Sequence, residues 1–493
     1  MKNKKNSGPM WAIKSTNLSQ LNLRYTSDRD VTALPMADEI LTPYDIQGTI
    51  AHVKQLNFIK ILKQTETNKI IKSLKKAYKL HQSNKFPLNP DLEDIHMNLE
   101  AFVSSKKECG QQLGGRMHTA RSRNDQAATA MRLYMRDMCL QIQSALIKLV
   151  EKLLIKGLEH SSVLMAGITH HQNAVLSSLG HLYYSYAQSL IRDIQRFEEA
   201  FDVINVSPLG AVAGYGTTWP LDRNYSAKLL NFDDVLSNTI DCVTNRWEPE
   251  AELSGAICFM MNHLSTISQD IIFCSTSSNP ALQLPVEFTT GSSVMPQKRN
   301  PDFAEATKGR TALIHGAHSS LLSIGKGNVS GYNKDTQWTK YLIMDTINTA
   351  KDAPEIFENV INKIKPNKER LFQQTQEGFL SATDLADALV REGKIPFRTS
   401  YLIIKEITGQ CKDVIDYENF SSVLKKHDSK IKFSKELFEQ VTNPSKSITL
   451  KNHNGGPAPA AIKKLKTKLS SKLNQLIKIN KKNKLKVKNA LNF

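Results

Sequence analysis

The feature that most constrains this chain is a helical periodicity repeated along more than two hundred residues. Between Asp125 and His160, Leu140, Ala145, Leu146, Leu149, Val150, Leu153 and Leu154 recur at three- and four-residue steps, which lines one side of a helix with apolar groups. Val175–Ile204 repeats the pattern with Leu179, Leu182, Tyr183, Tyr186, Leu190, Ile191, Ile194 and Phe197. Leu253–Thr276, Phe303–Leu322 and Tyr341–Ile364 continue it. Two-residue alternation is rare, and Gly and Pro are sparse inside these stretches. Five helices of roughly twenty residues or more predict a mainly α fold built on a long bundle. Some of the apolar faces are wide enough to predict packing between subunits.

No stretch reads as a membrane span. The nearest, Ile257–Cys274, is interrupted by Asn262, His263, Ser268, Gln269 and Asp270 and reads as a helix inside the bundle. The opening MKNKKNSGPMWAIK has the charge of a signal peptide without its apolar region. The six cysteines are scattered, with no CxxC pair, which fits reduced thiols in the cytoplasm rather than disulfides or zinc. The net charge is +18, and it is concentrated at one end: twelve lysines and no acid follow Leu450. That segment lacks the interleaved aromatics of a specific single-strand binder, so no specific nucleic acid is expected. It reads as a solvated tail, with weak contact to anionic surfaces as the other reading.

Short polar segments punctuate the helices. HTARSRNDQ opens the first long helix, with Ser122 or Asn124 as its cap, Asp125 in the first turn, and Arg121 and Arg123 alongside. A helix N-terminus so flanked is a ready carboxylate site. GITHHQNA places His170 and His171 after Thr169, which suits acid–base work. TTGSSVMPQKRNPD combines permissive backbone at Gly291 with Ser292, Ser293, Lys298 and Asn300. Fixed charge and amide donors in this pattern suit a carboxylate that gains charge in a transition state. The chain has no GxSxG elbow, which argues against an α/β-hydrolase. GYNKDTQWTK carries Tyr332, Gln337 and Lys340 and, taken alone, is an ordinary polar helix start.

GSSVMPQKRNPD resembles the signature loop of the fumarase/aspartase superfamily. Together with HTARSRNDQ, EDIHMNLE, ITHHQ, YNKDTQ and SATDLADALVREGKIPFR, it resembles the argininosuccinate lyase family specifically, over about Tyr25 to Lys472. The resemblance implies a mainly α, three-domain fold, with a central long-helix bundle that associates as a homotetramer. Each active site would then draw residues from three subunits. It also implies reversible cleavage of argininosuccinate to arginine and fumarate, without metal or cofactor. The divisions expected here are 1–114, 115–365 for the bundle, and 366–493 for a C-terminal helical domain with the Lys-rich tail.

The same resemblance assigns roles. Ser292 is the general base on a mobile loop, with Ser293 the alternative should the loop register differ. Lys298 and loop backbone N–H groups stabilise the dianion formed when a proton beside a carboxylate is removed, and Asn300 orients it. His170 with Glu305 forms an acid–base pair, and the donor to the leaving guanidinium is left unassigned. Ser122, Arg123, Asn124 and Thr169 bind substrate. Tyr332, Gln337 and Lys340 hold its arginine side, and His96 and His118 complete the site. Asp125 is architectural. Departures from the pattern fall at Ser27 and Asp38, at His171, Asn173 and Val175, and in NRWEPEAEL. The Lys-rich end is expected to pack on the C-terminal domain up to about Ile479 and to be mobile and dispensable after Asn480.

Overall fold

The computed structural model describes residues 19, 21–22, 37–89, 92, 94–428 and 430–490. Ser27 lies outside them, and Asp38 falls in the short 3-10 turn Ala37–Leu41. Before the bundle come α1 (Thr42–Phe58), α2 (Gln64–Gln82) and α3 (Ile95–Ser104). The bundle itself is α4 (Arg123–Glu159), α5 (Leu179–Ile204), α6 (Glu248–Cys274), α7 (Asp302–Gly325), α8 (Thr339–Ala350) and α9 (Ala353–Lys363). Five shorter helices between Ala382 and Leu450 follow. The last helix, α10, spans Pro459–Ala490.

The 37 residues of α4 make a rod about 55 Å long. α5 runs back along it. At one end Arg132 donates to the carbonyls of Val203 and Ile204, at 2.7 and 3.1 Å. Arg136, only 1% exposed, donates to Asn205 Oδ1 and to the Leu230 and Asn231 carbonyls, and stacks on Phe232. This satisfies a buried guanidinium and pins the end of α5 to the start of α4. At the other end the two helices touch through glycines. A Cβ on Gly180 would meet the Gly157 carbonyl oxygen at 2.4 Å, so the backbones approach too closely there for any side chain. α6 runs parallel to α4, from Glu248 beside the Arg132 end to Asp270, whose carboxylate accepts from Tyr186 near the far end. α7 returns, bringing Gly325 against Trp247.

Two sequence expectations are corrected here. Val175–Ser178 is not helical. It belongs to a hairpin joining α4 to α5, formed by β1 (Leu164–Thr169) and β2 (Gln172–Ser178), antiparallel with Thr169 opposite Gln172. Tyr341–Ile364 is two helices rather than one. The break falls at Lys351-Asp352, where Pro354 in the first turn of α9 cannot supply the N–H that would continue α8.

The main apolar core runs through α1 to α9 and also takes in Ile462, Leu469, Leu473, Leu476 and Val487 of α10. The helices from Ala382 onward have their own core around Leu385, Leu389, Ile403, Ile407, Phe420 and Val423. The Lys-rich end therefore does not pack on that second core, and it is ordered beyond Asn480. Asn480 donates to Gln143 Oε1 at 2.6 Å, Asn483 to Glu198 at 3.1 Å, and Lys486 pairs with Asp233. An apolar or amide residue at nearly every turn supplies the seam that a count of charges hid.

Candidate active site

At the end of the bundle where α4 begins, a polar cavity of about 230 Å³ opens. Ser122 caps α4: its hydroxyl accepts from Asn124 N at 3.3 Å, and the Asp125 carboxylate returns the bond to Ser122 N at 3.0 Å. This capping box turns Arg123 and Asn124 into the cavity wall. The other oxygen of Asp125 accepts from the backbone of Gly210 and Val212, at 2.9 and 3.0 Å. Burial pushes its carboxyl up to about 6, against those donors and Arg121. Asp125 thus ties the Gly-rich 208–216 loop to the helix N-terminus, which agrees with its expected architectural role.

α3 presents the opposite wall. Asp94 caps it, accepting from Met97 N at 2.8 Å, and its second oxygen lies 3.3 Å from Arg123. His96, buried on the next turn, has Nδ1 3.0 Å from Asp45 on α1. Burial opposes charge on Asp45, yet His96, Arg121 and Gln126 together hold its carboxyl below the usual range. His118 stands behind, depressed to about 4 by burial and by Arg121 and Arg123. It is therefore a neutral imidazole at pH 7.

The third wall comes from the turn before α8. Tyr332 donates to Gln337 Oε1 at 3.3 Å, and Lys340, 8% exposed, sits in the first turn of α8. Arg246 lies 5.8 Å from the centre of the Tyr332 ring. Behind it, burial pushes Glu250 up to about 7 despite the nearby Arg246 and Arg132. The cavity therefore joins six of the expected residues: His96, Arg123, Asn124, Tyr332, Gln337 and Lys340. Asp94, Arg246 and Lys334 also line it and were not among the candidates. Asp94 was legible as the N-cap of EDIHMNLE. Arg246 stands in NRWEPEAEL, which had registered only as a departure from the pattern. Four cations against one carboxylate suit a ligand with several carboxylates and a lesser cationic part.

Thr169, His170, Ser292, Lys298, Asn300 and Glu305 are not in this cavity. They belong to the opposite end of the bundle, a helix length away. His170 and His171 are the two loop residues of the β1–β2 hairpin, with φ of 51° and 61°. Both positive φ values meet the condition of a type I′ turn and hold His170 exposed at the tip. On the same end, Thr290 and Asn300 pair as an isolated bridge, N to O at 3.2 and 2.8 Å, and close the signature loop. Inside it the Ser292 hydroxyl oxygen accepts from Val294 N and Met295 N, at 3.3 and 3.1 Å. Lys298 is exposed beside it, and Glu305 is exposed in the first turn of α7. Among the described residues no hydrogen bond or ion pair joins His170 to Glu305 or to Ser292, and no group of three or more His, Cys, Asp or Glu is placed to hold a metal.

Comparison with known proteins shows the family and the fold. Residues 26–316 match a family model described as lyase, and residues 379–449 match one described as argininosuccinate lyase C-terminal. An argininosuccinate lyase of Ruthia magnifica is 37% identical over 86% of this chain and 88% of its own length. One from Geobacter sulfurreducens is 36% identical over 86% and 92%. Among solved structures, an EDDS lyase in complex with formate superposes with a TM-score of 0.85 at 26% identity, covering 96% of this chain and 94% of that one. A class II fumarase from Schistosoma mansoni shares the fold, with a TM-score of 0.70 at 17% identity, over 88% of this chain and 96% of its own.

Proposed function

The chain belongs to the argininosuccinate lyase family, and from that premise we propose how its two polar ends carry out the reaction. It is a carbon–nitrogen lyase of arginine biosynthesis that reversibly eliminates argininosuccinate to arginine and fumarate. Ser292 removes a proton from the carbon beside a succinyl carboxylate, and the electron pair enters that carboxylate as an aci-dianion. The pair then returns to form the fumarate double bond as the carbon–nitrogen bond breaks, and the guanidino nitrogen takes up a proton. Lys298 and the loop N–H groups stabilise the dianion, Asn300 orients it, and His170 with Glu305 serves proton transfer. Such an elimination needs a base, an acid and fixed positive charge, and no metal or cofactor is assigned.

In the cavity, Arg123 and Asn124 bind carboxylate groups at the helix end that Ser122 caps, and Thr169 joins them from another copy of the chain. Tyr332, Gln337 and Lys340 hold the arginine part, with His96 and His118 beside them. The observation that carries this reading is the gathering of six expected residues in one cation-rich cavity at the N-terminus of α4.

The site is completed by assembly. The His170 hairpin follows the far end of α4, about 55 Å from its N-terminus, and the Ser292 loop precedes α7, whose other end, about 36 Å away, packs on Trp247 beside the cavity. Copies packed antiparallel through the bundle would bring the ends together. Leu313 and Leu322 of α7 and Phe259 of α6 are 64%, 49% and 49% exposed, apolar groups that such packing would cover. We therefore assign a homotetramer with shared sites, located in the cytoplasm, divided at 114 and 365. No described helix is long and apolar enough to cross a membrane, and all six cysteines are free. The deciding assay is fumarate absorbance on purified protein with argininosuccinate. Turnover of adenylosuccinate alone would overturn the substrate assignment.

A further inference from the structure

The outer face of α10 has no role in the lyase site. The helix carries eleven lysines and no acid. Its inner face, Ile462, Leu469, Leu473, Leu476, Asn480, Asn483 and Val487, is buried against the bundle. At 100° per residue, Lys463, Lys464, Lys468, Lys478, Lys481 and Lys482 fall on the half of the helix away from that seam, Lys472 lies on its flank, and all seven are exposed. Among the described residues none of these seven has a hydrogen-bond or ion-pair partner; of the helix's lysines, Lys484 reaches Ser144 and Lys486 reaches Asp233. The result is a band of exposed cations along the helix, spread over about half of its circumference, with Lys482 also acting on Glu198. From Lys463 to Lys482 it runs about 28 Å.

We propose that this face is a docking surface for the phosphate backbone of nucleic acid, bound without regard to sequence. Three features select that partner. The charges form a rigid band rather than a pocket, and a duplex presents one phosphate charge per roughly 1.7 Å of its axis, so the band spans about eight base pairs. The apolar face of α10 is already used in the core, which leaves no amphipathic surface to insert into a lipid interface. The outer face also lacks the aromatic or apolar anchors of a protein–protein hot spot, with only Ile479 and Leu485 exposed. Recognition of individual bases is not expected, because no aromatic side chain stands on the helix.

The test uses the full-length protein and a fluorescein-labelled 24-base-pair duplex of arbitrary sequence, followed by anisotropy between 30 and 200 mM salt. Binding should be micromolar at low salt, with a slope of log K against log salt of about −4 to −6, as for five to seven phosphates neutralised. A second duplex of unrelated sequence should bind within about threefold. Lys463→Gln, Lys464→Gln, Lys468→Gln, Lys472→Gln and Lys478→Gln combined should weaken binding at least tenfold and flatten the slope, while argininosuccinate turnover and melting temperature stay unchanged. The inference fails if there is no binding at 30 mM salt, or if the quintuple variant binds as wild type does. It also fails if phosphatidylserine vesicles or polyglutamate bind more tightly than the duplex.

Discussion

At the scale of single residues, burial and donor geometry decide which groups can carry charge. The Ser292 oxygen faces two backbone N–H groups and is half exposed, so its loss removes little packing. Ser292→Ala should therefore lower kcat by on the order of 10²–10³ or more, with the fold intact by circular dichroism. Near-wild-type turnover would move the base to Ser293 or elsewhere. Glu250 makes a different prediction. Its carboxyl rises from the ordinary value of 4.5 to about 7 because it is buried. The folded state therefore holds a proton that the unfolded chain has released. That contribution to stability is complete below about 4.5 and is lost as pH rises through about 7. Glu250→Gln should flatten this part of the profile. In urea melts at pH 5 and pH 8, wild type should lose on the order of 1–3 kcal/mol relative to the variant across the interval.

At the scale of elements, the hairpin separates stability from chemistry. His170 and His171 both hold positive φ, where a side chain is strained. His171→Gly should leave turnover near wild type and raise stability by up to about 1 kcal/mol. His170→Gly should relieve the same strain yet lose most turnover, which kinetics and thermal melts on the two variants would separate. α10 changes the expectation for the tail. Truncation after Asn480 removes the buried Asn483, Val487 and Ala490, with the bonds to Glu198 and Asp233. The truncated protein should melt several degrees lower by calorimetry. Its turnover at a permissive temperature should be preserved, because α10 contributes nothing to the cavity.

For the whole molecule, the separation of the two ends is the central fact. A single chain holds a cation-lined cavity at one end of α4 and the Ser292 loop towards the other. Ser292→Ala and Lys340→Ala homomers should each be nearly inactive. Mixed and allowed to exchange subunits, they should recover up to roughly a quarter of wild-type turnover, since some hybrid sites combine two intact ends. No recovery after exchange has been demonstrated by mass spectrometry would show that the ends act within one chain. Sedimentation should find a tetramer, and a stable, active monomer would contradict the assembly.

The sequence by itself determined what local physics controls. Apolar steps of three and four residues specified the bundle helices to within a few positions, because a helix face needs only its own spacing. The capping box at Ser122 and Asp125 was legible for the same reason: it joins residues three apart. The Thr290–Asn300 loop was legible as a polar, non-helical segment through its composition. Other features depended on partners distant in the chain. The strand at Val175–Ser178 exists because it pairs with Leu164–Gly167, and its own apolar residues fit a helix equally well. Arg246 became a wall of the cavity only when Tyr332, some eighty residues later, folded over it. The lysine-rich helix read as solvated because its seam is thin, and only the surfaces of α4 and α5 gave that seam something to bury against. Local spacing is written along the chain, whereas burial is a property of neighbours that the chain meets only after it has folded.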